Sequence, residues 1–184
     1  GDLPAARAHL STLAGRDPRG LGEPDLVRAT VESVAENTSD AAVAPLFWGA
    51  VAGLPGLLGY RAANTLDAMV GYRSARYARF GWAAARFDDV LNWLPARLTA
   101  LLTVAVAPLA GGSPAGAWRA WHRDGAAHPS PNAGRCEAAL AGALGLRLGG
   151  RNVYGTRVEE RPTLGDGQPP VCGDIRRAVR LSRA

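Results

Sequence analysis

The sequence predicts an all-α, multi-helix integral membrane protein, and three observations carry that prediction. Two uncharged stretches, 41–60 and 98–118, each have about the twenty residues that a helix needs to cross a bilayer. Gly and Pro break both stretches, so the membrane segments are not plain spans. The flanking segments place polar residues at helical spacing, which makes amphipathic, polar-faced helices.

The elements follow in chain order. Residues 3–14 read as a short helix and "GRDPRG" at 15–20 as a turn. Pro24 suits the first turn of a helix over 24–40. On that helix Glu32, Ser33, Glu36, Asn37 and Asp40 share an arc of about 140°, opposite Val27, Val31 and Val34. The apolar stretch Ala41–Tyr60 contains Pro45, Gly49, Gly53, Pro55, Gly56 and Gly59. Helices over 60–70 and 74–94 come next, with breaks at Gly71 and Gly81, and Pro95 ends or kinks the second. In "LTALLTVAVAPLAGGSPAGAW" (98–118) the front half is apolar and the back half rich in Gly and Pro. A Pro/Asn/Gly loop leads to a helix at 135–148. Its Ala138, Ala139, Ala141, Gly142, Ala143 and Gly145 suit close helix packing. From 151 to 184 the chain is a basic, Gly/Pro-rich tail. The whole reads as a single domain, 1–184, and as a fragment, since it starts at Gly1.

Topology adds a constraint. Arg61–Arg97 holds six Arg against three Asp, which the positive-inside rule makes cytoplasmic. Two spans would then split the polar clusters across the membrane. One stretch is therefore expected not to span. The Gly/Pro-rich Ala41–Tyr60 is that one, as a re-entrant segment or one packed among other helices.

Composition excludes several classes. The 184 residues carry a net charge of +5, and all 21 basic residues are Arg. These are spread along the chain and interleaved with acids, without a zinc-finger spacing, an aromatic ribonucleoprotein motif or a basic run, so no nucleic-acid partner is expected. Cys136 and Cys172 lack partners at zinc-ligand spacing. Neither a P-loop nor Gly-x-Gly-x-x-Gly nor Gly-x-Ser-x-Gly is present. The five Trp read as packing or interface anchors.

Three carboxylate and amide clusters remain: Glu32/Glu36/Asn37/Asp40, Asn64/Asp67 and Asp88/Asp89/Asn92. Oxygen ligands of this kind suit Mg²⁺, which keeps waters and bridges substrate phosphates. Each cluster has Arg nearby: Arg28; Arg61 and Arg73; Arg86 and Arg97. Guanidinium groups would hold phosphate. Solvated helix faces with salt bridges are the plainer explanation of one such cluster, but three beside apolar stretches point to function. His122 and His128 flank a loop and are candidate acid–base groups, although neither has a motif partner.

The words "GRD", "VESVAENTSDAAVAPLFW", "GLPG", "YRAANTLDAMVGYR", "FGWAAARFDDVLNWLPARLTA" and "HPSPNAG…GALGLRLGG" occur in this order. Together they resemble the cobalamin biosynthesis family known as CobD or CbiB, the adenosylcobinamide-phosphate synthases. The resemblance runs from about residue 10 to about 155. Family members extend further at the N-terminus, with more membrane helices there. The family's aromatic-Pro pair after "PNAG" is here Arg135-Cys136, in a packing helix.

The resemblance implies a multi-pass inner-membrane enzyme of the late vitamin B12 pathway with its active face in the cytoplasm. It would join an amino alcohol or its phosphate to the free carboxylate of adenosylcobyric acid, with ATP and Mg²⁺ activating that acid. Glu32, Glu36 and Asp40 are then expected at metal or ATP, and Asp88, Asp89 and Asn92 at a second metal or the amine. Glu36, Asp88 and Asp89 are the expected catalytic groups. Arg61, Arg73, Arg86 and Arg97 would bind phosphate, while Asn64, Asp67 and Asn132 orient substrate. Membrane lipid and other late-pathway enzymes are the expected partners. A non-catalytic scaffold for those enzymes and a membrane sensor stay open as alternatives.

Overall fold

The computed structural model describes residues 2–13, 21–71, 80–154 and 157–184. The turn at 15–20, Arg73 and the first part of the 74–94 helix lie outside them. The described chain is mostly helical. Its helices are α1 (Leu3–Leu13), α2 (Glu23–Asn37), α3 (Ala44–Val70), α4 (Phe80–Leu91), α5 (Trp93–Val106), α6 (Pro114–Asp124), α7 (Ala133–Leu144) and α8 (Cys172–Ser182). The all-α expectation needs correcting, because the tail folds. Leu148–Tyr154 (β1) and Arg157–Leu164 (β2) form an antiparallel pair, and α8 packs back along α2.

α2 does not stop at Asn37 but widens into a π-helical turn, Thr38–Val43. Local hydrogen bonds explain the widening. Asn37 donates to Ser33 O (2.8 Å) and Thr38 to Val34 O (2.7 Å), and such back-bonding loosens the regular ladder. The turn brings Ser39 and Asp40 onto the side of Glu36.

α3 is not one straight rod. Ala52 and Gly53 leave helical geometry, and Gly53 takes φ 63°, a region where a Cβ clashes. The chain doubles back there. A Cβ on Gly56 would lie 2.4 Å from Trp48 O, eight residues earlier. Tyr60 donates from its hydroxyl to Asp40 O at 3.1 Å, twenty residues earlier. The uncharged stretch is thus a helical hairpin. Its first apolar arm, 41–52, is about 18 Å long, short of a bilayer core of about 30 Å. Leu46, Val51, Leu54 and Leu58 point outward from it.

The second stretch also breaks up. α5 and a 3₁₀ turn, Ala107–Ala110, make an apolar rod of 18 residues. Gly111 in the left-handed region then ends it, and Ser113 caps α6 by accepting from Gly116 N. By length and composition this rod and the long helical run through α2 and α3 pass the test for crossing a membrane. Leu94, Leu98, Leu101, Leu102 and Leu109 line its outer side, and Trp82, Phe87 and Val90 of α4 extend the same exposed apolar surface.

The core sits on the other side. Val27, Val31 and Ala35 of α2, Leu140 and Leu144 of α7, Leu148 and Leu164 of the strands and Leu181 of α8 bury one another. α6 and α7 touch backbone to backbone at Gly116 and Gly142, as the run of small residues predicts.

Candidate functional site

Members of all three polar clusters meet in one cavity of about 350 Å³. α2 and its π-turn supply Glu36, Ser39 and Asp40; α3 supplies Asp67; α4 supplies Asp88 and Asp89. Asn92, Asn132 and Cys136 line it too. His128, Ser130 and Arg161 close the remaining wall.

Asp88 is the best-held acid. Asn64 donates to one of its oxygens at 3.2 Å and Asn92 to the other at 2.9 Å. Asn92 is itself fully buried and accepts from the Tyr60 hydroxyl at 2.9 Å. It occupies the turn between α4 and α5, which exists because Pro95, having no N–H, sits in the first turn of the new helix. Asn132 donates to Asp89 O (2.8 Å) and faces Arg97 at 3.4 Å. Arg97 also stacks over Trp93, with 4.0 Å to the ring centroid.

The acids raise one another. Asp40 and Asp67 lie outside the apolar arms of the hairpin. Burial, then the charges of Asp88, Glu36 and Asp67, push the Asp40 carboxyl up to about 7. Burial, with Asp88 and Asp89, pushes Asp67 to about 6. Burial also raises Asp88, against the two amide hydrogen bonds, and raises Asp89 against Arg86. Among the described residues, five carboxylates thus face one guanidinium in the lining, that of Arg161. A cation would relieve this repulsion.

Among the described residues no three His, Cys, Asp or Glu side chains converge to cage an ion. One or two carboxylates with substrate phosphates and water are the usual Mg²⁺ arrangement, and these walls fit that arrangement.

Glu36, Asp40, Asp67, Asp88, Asp89, Asn92 and Asn132 therefore share one cavity. Arg73 lies outside the described residues, and Glu32, Arg61, Asn64, Arg86 and Arg97 stand outside the lining. Asn64 supports Asp88. Arg61 meets Asn64 at 3.4 Å, and Arg86, well exposed, pairs with Asp89 at 3.5 Å.

Glu32 is elsewhere altogether, which corrects its expected place at the metal. Buried in α2, it accepts from Gly149 N at 2.9 Å, while Arg28 donates to Gly149 O. Gly149 (φ 84°) is the irregular position of β1, so its N–H is left over from the ladder. Glu32 thus fixes the β-pair, and with it Arg161, which stands opposite Gly150. Glu32→Ala leaves that buried N–H without its acceptor. It is expected to lower stability by about 2–3 kcal/mol in thermal melts, with Mn²⁺ binding per folded molecule unchanged.

Sequence reasoning missed Ser39, Ser130, Cys136 and Arg161, and set His128 aside. Arg161 donates to His128 Nε2 at 3.0 Å, and Ser130 N lies 3.0 Å from Nδ1. Behind this pair sits Glu137, fully buried, 3.8 Å from His128 Nε2. Burial and the charges of Glu36 and Glu32 hold its carboxyl well above the ordinary range. The "HPSPN" loop was the one local signal; nothing in the spacing of the tail singles out Arg161.

The profile of the family described as CobD/Cbib protein matches residues 1–182. The "Cobalamin biosynthesis protein CobD" of Mycobacterium tuberculosis (strain CDC 1551 / Oshkosh) is 63% identical over 182 residues, covering 99% of this chain and 58% of the relative. The protein of the same name from Geobacter metallireducens is 56% identical, covering 98% and 57%. That from Rhodobacter capsulatus is 51% identical, covering 100% and 57%. The chain thus spans a little under three-fifths of these relatives. No solved structure matches it.

Proposed function

Because the chain belongs to the CobD/Cbib family, we propose that its cavity is the amide-forming site of a cobalamin biosynthesis enzyme. In this reading an amino alcohol or its phosphate is joined to the free carboxylate of adenosylcobyric acid, with ATP activating the acid. The observation that carries the reading is the convergence of five carboxylates from three helical segments opposite Arg161 and His128.

Size separates the substrates. A cavity of about 350 Å³ is at the small end of ligand pockets, with room for a short amine and a phosphate but not for a corrin macrocycle. The corrinoid carboxylate would reach in from the mouth. Asp40, with Asp88 or Asp67, would hold Mg²⁺, which when bound offsets the charge on phosphate oxygens. Arg161 would take a phosphate oxygen in place of the more distant Arg61, Arg86 and Arg97. The attacking amine must lose a proton; Glu36, or His128 while neutral, would accept it from the nitrogen as the new C–N bond forms.

The membrane reading rests on the exposed apolar hairpin and on the leucine side of α5. The hairpin would enter the inner membrane as a re-entrant loop, with the carboxylates at its foot facing the cytoplasm. The absence of an ATP motif favours the second reading, a non-catalytic scaffold for late-pathway enzymes. One experiment divides them. The intact protein is supplied with ATP, Mg²⁺, cobyric acid and aminopropanol phosphate, and a gene-deleted strain is fed cobyric acid or cobinamide. Product formation, and rescue by cobinamide alone, are the expected results. No product from folded protein would leave the scaffold standing.

A further inference from the structure

We propose that α8 is a binding site for anionic phospholipid headgroups at the foot of the hairpin, an inference that rests on the membrane reading above. α8 buries Asp174, Ala178 and Leu181 against the core and turns Arg176, Arg180 and Arg183 outward. Arg177 pairs with Asp174 at 2.7 Å, but none of these three pairs with a carboxylate among the described residues. With Ile175, Val179 and Ala184 they line an open groove of about 550 Å³. Guanidinium and aliphatic groups alternate along it, and among the described residues its lining has no aromatic ring on which a nucleobase would stack. A phosphate headgroup with the start of an acyl chain fits that alternation.

Its position points the same way. α8 runs parallel to α2. Cys172 Sγ meets Glu23 at 3.0 Å at one end, and the hydroxyls of Ser182 and Thr38 meet at 2.7 Å at the other. Thr38 opens the π-turn from which the apolar hairpin departs, so Arg180 and Arg183 stand where that hairpin begins. α8 also packs on the Ala107–Ala110 turn, whose exposed Leu109 ends the apolar side of α5. A basic helix bordering an apolar surface matches the layer of headgroups above acyl chains.

The test titrates the detergent-solubilised protein with short-chain phosphatidylglycerol or phosphatidylcholine and reads bound lipid by native mass spectrometry. Phosphatidylglycerol is expected to bind in preference. The triple variant R176Q/R180Q/R183Q is expected to bind it about a hundredfold more weakly, from roughly fivefold per arginine. These side chains are exposed, so an unchanged melting curve confirms that the variant folds. Equal binding of the two lipids, full binding by the variant, or displacement of lipid by an equal concentration of inorganic phosphate overturns the proposal. A chain that stays monodisperse without detergent overturns the membrane reading itself, whereas a detergent-dependent chain blind to headgroup charge overturns only the lipid site.

Discussion

An Asp40→Asn variant is expected to be inactive and yet more stable than the parent at pH 8. The sign follows from the carboxyl itself. In the unfolded chain Asp40 titrates near its ordinary 3.8, whereas in the fold it is pushed up to about 7 by burial and by Asp88, Glu36 and Asp67. The fold therefore prefers the protonated form. Below about pH 4 both states are protonated and nothing is lost. Between 3.8 and about 7 the unfolded chain ionises first, and stability falls; above 7 the deficit is constant. Discounted for the solvent that still reaches this partly buried group, that deficit is about 2 kcal/mol. Asn removes it, so the variant should melt about 4–8 °C higher at pH 8 and alike at pH 4. Amide formation should fall at least about a hundredfold, in line with the loss of a preorganised charge. Equal melting at pH 8 together with full turnover would remove Asp40 from the site.

A pair of glycine substitutions should move stability in opposite directions. Gly56→Ala places a Cβ 2.4 Å from Trp48 O and 2.7 Å from Ala52 Cβ, forcing the two arms of the hairpin apart. Overpacking against fixed backbone costs about 2–3 kcal/mol. Gly59→Ala meets nothing within 4 Å and gains helix propensity of about 0.5–1 kcal/mol. In a straight helix both changes would stabilise. Thermal melts of the two variants in the same detergent therefore distinguish a doubled-back chain from a simple span: a stabilising Gly56→Ala would rule the hairpin out.

The carboxylate clusters were legible because each is local. Glu36 and Asp40, and Asp88 and Asn92, are four residues apart on one helix, and spacing alone puts them on one side. That their helices converge was not legible from spacing. Convergence depends on the reversal at Gly53, on the bend at Asn92 and on the π-turn at Thr38. Gly, Pro and Thr announce a break in such places without saying where the chain goes next. The tail was misread for a related reason. Gly149, Gly150 and Pro162 signal loop, and the strands around them owe their pairing to a clamp from Glu32 and Arg28, more than a hundred residues earlier. Arg161 reaches His128 from a strand held by that clamp and by core packing of Leu148 and Leu164, so no window of sequence contains the cause. Glu32 was misplaced by the same token: its helical face is right, but its partner is the backbone of β1.

The junction at Asn92 has a practical consequence. One amide holds the Tyr60 hydroxyl with its oxygen and Asp88 with its nitrogen, and Trp48 donates to Leu91 O next door. In the proposed reading, the loop that would dip toward lipid and the acid that would face substrate are thereby bolted to the same pin. Tilting the loop drags the acid. A solubilising agent that squeezes the loop would then lower turnover without unfolding the rest, so turnover is expected to change with micelle width at a constant melting curve.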